Sequence, residues 1–361
     1  MRLIAVVLLA LLAIGTVEAD DTGGAWVARK DNPALPVNPP PNRYHVAHGD
    51  PCVVLDPHAP SEARYKMYFG SCEEGGTTRT GIAISADGDR WRVDTSVSTN
   101  GKEGIVLDLG PEEAWDSSRA ESVCVIVVPG APAARRYEMW YSGAGPMDFG
   151  DGEKHTIYQL GHAWSADGRQ WERDPANPVV RASEFDWQRR DPGYAGMGDP
   201  CVVRLDDAPE DRRYMMWFTA AYGRQTEKDT AYCIRVATSP DGSTWTQRGI
   251  ALDVSDGAWD ARVVAMPCVV GEGGSFGMWY AGATLAEDLE RAQIGCATSI
   301  DGLRFEKAAH NPVLTILQAS WGSDFDHLWG PHVLVEGGGA RMWFSGGSLE
   351  TGITIGGAER R

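Results

Sequence analysis

Three carboxylic acids stand near the start of a recurring strand-like run: Asp50 in Asp50-Pro-Cys-Val-Val54, Glu121 in Glu121-Ser-Val-Cys-Val-Ile126 and Asp199 in Asp199-Pro-Cys-Val-Val203. Two further runs of the same kind carry Met266 and Gly330 at that point. A single Asp before Pro is an ordinary turn residue. Three acids in one frame are a candidate catalytic set: like charges held together in a partly dry cleft push at least one carboxyl pKa up, as general acid and base work requires. Other polar groups cluster at the same starts. His45 and His48 precede Asp50, and Arg119 lies two residues before Glu121. Asp260 and Arg262 precede the fourth run, while Asp326, His327 and His332 flank the fifth. An Arg in such a place either holds an acidic group of a substrate or pairs with the Asp beside it. Trp115-Asp116 and Trp259-Asp260 repeat each other, and Trp187, Tyr194, Trp321 and Trp329 fall just before inner strands. Such rings either stack on a sugar or pack between sheets.

The elements that position these residues are legible from a repeat. Tyr65-Lys-Met-Tyr-Phe-Gly70, Tyr137-Glu-Met-Trp-Tyr-Ser-Gly143, Tyr214-Met-Met-Trp-Phe-Thr219, Phe276-Gly-Met-Trp-Tyr-Ala-Gly282 and Arg341-Met-Trp-Phe-Ser-Gly346 are versions of one phrase. A phrase recurring at long, regular intervals marks a radial or stacked architecture. The acid-bearing run precedes each phrase, and a third run follows it. Four of the third runs end in Ser-x-Asp-Gly, at Gly88, Gly168, Gly242 and Gly302, with Trp91, Trp171, Trp245 or Phe305 three residues on. Asp-Gly between β-rich runs signals a hairpin, because Gly accepts positive φ without steric cost. The unit is four antiparallel strands, and its radial repetition predicts an all-β, five-bladed β-propeller. The last unit lacks its fourth strand. Trp26 to Pro33 reads like Trp171 to Pro178 and Phe305 to Pro312, so the N-terminal strand is expected to close the ring and cover its sheet edges. No linker divides residues 20–361, which are read as one domain whose blades pack mainly on their neighbours.

Residues 1–19 read as a secretory signal peptide: one Arg, a short apolar run and small residues near Ala19. The run is shorter than a membrane span needs. The expected location is therefore secreted or periplasmic. A net charge of −17 argues against nucleic acid and anionic membranes as partners. Seven cysteines include Cys52, Cys201 and Cys268 at one place of three inner strands, read as small core residues. Export leaves room for a bridge involving Cys72, Cys233 or Cys296. Neither Cys-x-x-Cys nor His-Glu-x-x-His occurs, and a glycine-rich phosphate loop is absent.

With its five repeats, its Met-Trp-Tyr-Ser-Gly strands, its Ser-x-Asp-Gly hairpins and its acids at inner-strand starts, the chain resembles the five-bladed propeller glycoside hydrolases of families 32, 43, 68, 117 and 130 over nearly the whole mature length. The resemblance implies a base or nucleophile in the first blade, which falls on Asp50. It implies a pKa-tuning, sugar-holding acid in the second, which falls on Glu121, and a general acid in the third, which falls on Asp199. A fifth-blade His near the axis, in some members beside a cation, falls on His332. The family order is Asp, Asp, Glu; here the second and third acids are exchanged. The implied function is hydrolysis of an oligo- or polysaccharide, with His48, Arg119, Asp260, Arg262, His327, His332 and Trp329 around the carbohydrate. No cofactor is required, and an axial Ca2+ or other cation is the one ion such a site admits. A non-catalytic propeller that binds carbohydrate or protein is the alternative. A lyase or a phosphorylase is a third; phosphorolysis would need a basic site, for which Arg119 and Arg262 are the candidates.

Overall fold

The computed structural model describes residues 25–37, 45–148, 152, 154–184, 196–222, 230–272, 274–285, 288, 290–348, 350 and 352–360. The signal-peptide segment, Trp187 and Tyr194 lie outside them. No helix among the described residues is long and apolar enough to cross a membrane. The only α-helix described is the single turn α1 (Ile316–Ala319).

The strands group as the repeat implies. After β1 (Trp26–Ala28) come β2 (Ala47–Leu55), β3 (Tyr65–Cys72), β4 (Thr78–Ser85) and β5 (Arg92–Val93), paired in that order. An insertion adds β6 (Ser98–Thr99) and β7 (Lys102–Glu103), a two-stranded ribbon, and β8 (Ile105–Leu107), which pairs with β4. The second sheet runs β9 (Arg119–Val127), β10 (Tyr137–Asp148), β11 (Lys154–Ser165) and β12 (Glu172–Arg173). Next are β13 (Met197–Arg204), β14 (Tyr214–Tyr222), β15 (Ala231–Ser239) and β16 (Thr246–Leu252), then β17 (Val263–Glu272), β18 (Ser275–Ala283), β19 (Gln293–Ser299) and β20 (Glu306–Lys307). The last sheet is β21 (His327–Glu336), β22 (Gly339–Ser348) and β23 (Gly352–Arg360), and β1 joins it antiparallel to β23 with Trp26 opposite Arg360. Asn32 clamps Gly357 through both its backbone N–H and C=O, as Asn177 clamps His162 and Asn311 clamps Cys296.

The repeated phrase is mostly apolar because its strand is covered on both faces. Met67, Tyr68 and Phe69 are fully buried, as are Met139, Trp140 and Tyr141. The aromatic that follows the Met of each phrase also ties one sheet to the next. Trp343 Nε1 donates to the Gly88 carbonyl at 3.2 Å, Tyr68 Oη to Gly168 at 2.8 Å, Trp140 to Gly242 at 2.8 Å and Trp217 to Gly302 at 2.8 Å. Each acceptor is the glycine of a Ser-x-Asp-Gly turn, which sits at φ of 71–80°. The Asp of each turn accepts two backbone N–H groups beyond it, as Asp87 does from Asp89 and Arg90. Trp279, whose neighbouring sheet has no such turn, packs edge-on against Trp26 instead.

A second set of contacts runs round the axis. The sulfur of Cys52 accepts the Val125 N–H at 3.2 Å, Cys124 accepts that of Val202 at 3.1 Å, Cys201 that of Val269 at 3.1 Å, and Cys268 that of Val333 at 3.1 Å. His332 Nε2 meets the Val53 carbonyl at 3.0 Å and so returns to the first inner strand. The cysteines are thus core residues that stitch β2, β9, β13, β17 and β21 together. All seven are free thiols, including Cys72, Cys233 and Cys296.

Candidate active site

Each inner strand breaks its ladder at one point. The breaks lie between Gly49 and Cys52, Gly198 and Cys201, Ala265 and Cys268, and Trp329 and His332, and in β9 opposite Trp140 and Ser142. One residue at every break has positive φ: Asp50 at 50°, Ser122 at 46°, Asp199 at 55°, Met266 at 53° and Gly330 at 57°. A bulge re-aims the side chain it carries. A non-glycine residue in this region is strained and persists only where its surroundings over-determine it. Here hydroxyls of the second strands supply part of that hold. Ser345 Oγ accepts the Asp50 N–H at 2.8 Å, Ser142 Oγ accepts that of Asp199 at 2.9 Å, and Thr219 Oγ1 accepts that of Met266 at 2.7 Å.

These bulges correct the frame read from sequence. Ser122, not Glu121, is the counterpart of Asp50 and Asp199. Glu121 stands one residue earlier and pairs with Ser142, as Gly49 pairs with Gly70 and Trp329 with Ser345. The second strand has Val123 where the first and third have Pro51 and Pro200, so aligning on acids slipped by one. Counting back two residues from each inner cysteine, to Asp50, Ser122, Asp199 and Met266, recovers the true frame.

A pocket of about 620 Å³ opens above the bulges, and Asp50, Glu121, Ser122, Asp199, Arg119 and Trp329 all line it. Asp50 is held on both oxygens: Trp329 Nε1 donates to Oδ1 at 2.8 Å and Ser122 Oγ donates to Oδ2 at 2.7 Å. Burial raises its pKa, and these two donors pull it back. Asp199 is raised to about 7, first by burial and then by the Asp50 charge, against the pull of Thr219. Burial also raises Glu121. Glu121 receives Tyr158 Oη at 2.5 Å and lies 3.6 Å from Arg119, whose Nη1 also donates to Thr78 at 3.0 Å. The site therefore holds carboxyls in unequal surroundings, the arrangement that separates acid from base.

The remaining sequence candidates divide between the pocket and the framework. His48 borders the pocket, edge-on to Phe69 with ring centroids 4.7 Å apart; burial lowers its pKa to about 3, so the imidazole is neutral. His332 lies below the site among the thiols. Asp260 is only 1% exposed, bound by Tyr280 at 3.0 Å and Lys307 at 2.6 Å. Asp116 does the same with Tyr141 and Arg173. The Trp beside each Asp covers glycines: a Cβ on Gly143 would lie 2.3 Å from Trp115, and one on Gly282 would lie 2.4 Å from Trp259. The Trp-Asp pairs thus lock sheets. Arg262 is exposed, and His327 turns to Asp326 at 2.5 Å. Asp260, Arg262 and His327 do not line the pocket, so Arg119 and Arg262 form no shared phosphate site. Trp321 packs on Phe325 at 4.6 Å. Among the described residues no group of three or more His, Cys, Asp or Glu side chains is arranged to hold a metal ion. Sequence reasoning missed Ser122, Tyr158, Thr219 and Ser345. The polar residue inside Trp-Tyr-Ser-Gly, Trp-Phe-Thr and Trp-Phe-Ser-Gly was the available signal for the hydroxyls that support the bulges.

No family model matches the chain. Two curated relatives from Mycobacterium tuberculosis, uncharacterized proteins MT1551 and Rv1502, are 34% and 33% identical over 149 residues. Each match spans 40% of this chain and 42% of the relative. Solved structures resemble most of the chain. A thermostable family-43 glycoside hydrolase superposes with a TM-score of 0.60 at 15% identity, over 86% of this chain and 88% of that one. The fold is that of the β-propeller glycoside hydrolases. A β-1,2-mannobiose phosphorylase from Listeria innocua shares this propeller with a TM-score of 0.65 at 13% identity, over 93% of this chain and 96% of that one. A complex of BT0996 with RGII gives 0.64 at 16%, over 94% and 91%.

Proposed function

We propose that this protein is an exported five-bladed propeller, its ring closed by β1, that cleaves glycosidic bonds of an oligo- or polysaccharide in the axial pocket. The observation that carries the reading is the pair Asp50 and Asp199, two carboxyls in equivalent bulges with unequal partners. Asp50, with two donors on its carboxylate, ionises first and activates water or attacks the anomeric carbon. Asp199, raised to about 7, keeps its proton near neutrality and gives it to the leaving oxygen. Glu121, held by Tyr158 and Arg119, adds negative charge beside an oxocarbenium-like transition state. Trp329 forms the wall against the sugar. Export rests on the apolar N-terminal run, and the acidic surface disfavours nucleic acid and anionic membranes.

The test is a screen of the mature protein against aryl glycosides and polysaccharides beside Asp50→Asn and Asp199→Asn. Cleavage lost in both folded variants supports the reading. Full activity in Asp50→Asn overturns the assignment. A glycan that binds without being cut by any form of the protein would make this a binding propeller. Detection of the protein, processed near Ala19, in the culture supernatant or periplasm checks the export reading.

A further inference from the structure

The bulge that should carry a third acid, by the logic of its neighbours, carries a hydroxyl. Ser122 stands on β9, between the strands of Asp50 and Asp199, in the same positive-φ conformation as both. Glycine would take this φ of 46° freely, so the side chain at this position is held under strain. Its hydroxyl donates to Asp50 Oδ2 at 2.7 Å, and Asp199 lines the same pocket. One hydroxyl has one proton to donate. With that proton on Asp50, it cannot serve a charged Asp199 at the same time.

We infer that Ser122 is a positioning residue whose hydroxyl, committed to Asp50, fixes Asp50 and not Asp199 as the ionised member of the pair. The Ser122 O–H serves an Asp50 carboxylate oxygen, and Trp329 Nε1 serves the other. Placing the charge on Asp199 instead would strand Trp329 Nε1 against a protonated Asp50. The other groups facing the pair act around this hydrogen bond. Trp329 from β21 and the Ser345 hydroxyl from β22 hold Asp50. Thr219 from β14 faces Asp199. Glu121 from β9 presses on both, with Tyr158 from β11 and Arg119 screening it. The inference depends on the glycosidase reading only for its catalytic consequence.

The test needs no substrate. Protein labelled with 13C at the aspartate carboxyls is titrated by NMR as wild type, Ser122→Ala, Ser122→Gly and Ser122→Cys, with Asp50→Asn and Asp199→Asn to assign the signals. In the wild type Asp50 titrates below Asp199. Removing the hydroxyl takes a hydrogen bond from the charged form of Asp50, so its midpoint rises by about one pH unit in Ser122→Ala and Ser122→Gly. Ser122→Cys, a weak donor, falls between. Ser122→Gly relieves the strained φ, so loss of fold cannot account for the shift. An unmoved Asp50 midpoint in folded Ser122→Ala and Ser122→Gly overturns the inference. With an active wild type, the acid limb of kcat/KM moves up with Asp50. A shifted Asp50 in a protein that cleaves no glycoside upholds the inference and removes the glycosidase reading. Cleavage with an unmoved Asp50 does the reverse.

Discussion

Trp329 Nε1 donates a 2.8 Å hydrogen bond to Oδ1 of Asp50, joining residues 279 positions apart across the seam between the last sheet and the first. The indole is 8% exposed, and its N–H serves only the ionised form of the acid as a full-strength partner. Replacing it with Phe keeps a ring against the pocket wall and removes the donor. Trp329→Phe is expected to lower kcat/KM near pH 7 by about tenfold, at the lower end of a hydrogen bond to a charged group. Its acid limb should move to higher pH. A pH–rate profile checks both, and an unchanged acid limb would show that the indole merely packs.

Asp199 links activity and stability to pH in one direction. Its folded pKa of about 7 exceeds its ordinary value of 3.8, so the native state binds the proton more tightly than the unfolded chain does. Its contribution to stability is complete below the unfolded value and is lost as pH rises from about 4 through about 7. At about 1.4 kcal/mol per unit, reduced by pocket water, the loss is about 2 kcal/mol. Asp199→Asn should therefore be more stable than the wild type at pH 8 and differ little at pH 4. Thermal melts across this range test the slope. Cleavage by the wild type should decline above pH 7 as the acid deprotonates.

Tyr158→Phe should act with the opposite sign to loss of Ser122. Glu121 loses its 2.5 Å donor, and its pKa climbs further. A more protonated Glu121 presses less on Asp199, which it otherwise raises. The Asp199 midpoint is expected to fall by a fraction of a pH unit. Carboxyl NMR titration reads this directly, and a rise in Asp199 would contradict the charge coupling assigned to Glu121.

Asp260 separates structure from chemistry. Asp260→Ala takes from Lys307 its ion-pair partner and from the Tyr280 hydroxyl its acceptor, beside Trp259. Breaking such a buried pair costs about 3 kcal/mol. Denaturant unfolding should show that loss while KM for any cleaved glycoside stays within about twofold. A large KM change in a folded protein would return Asp260 to the substrate site.

The strand pattern, the hairpins and the place of β1 were legible in the sequence, because each has a local signature. Ser-x-Asp-Gly builds its own turn from its own hydroxyl, carboxylate and positive φ. The Asn-Pro at the end of the fourth strand marks the clamp that Asn32, Asn177 and Asn311 share. The pocket was legible only in outline. Asp50 and Asp199 stood out because Pro follows each of them, whereas Ser122 was hidden by the acid beside it. Asp260 looked like a site acid and proved to be the buried partner of Lys307, as Asp116 is of Arg173.

What the amino-acid order determined by itself is the repeated four-stranded unit and the presence of acids near the inner-strand starts, both written in spacings of a few residues. Tertiary structure decided which residue of each start turns inward, because a one-residue bulge leaves the alternation on either side intact, and the inner cysteine two residues on marks its place only once the bulge is known. Tertiary structure alone decided which donors reach Asp50, since Ser122 and Trp329 are brought there by neighbouring sheets and the hydrogen bonds that set its charge join residues remote along the chain.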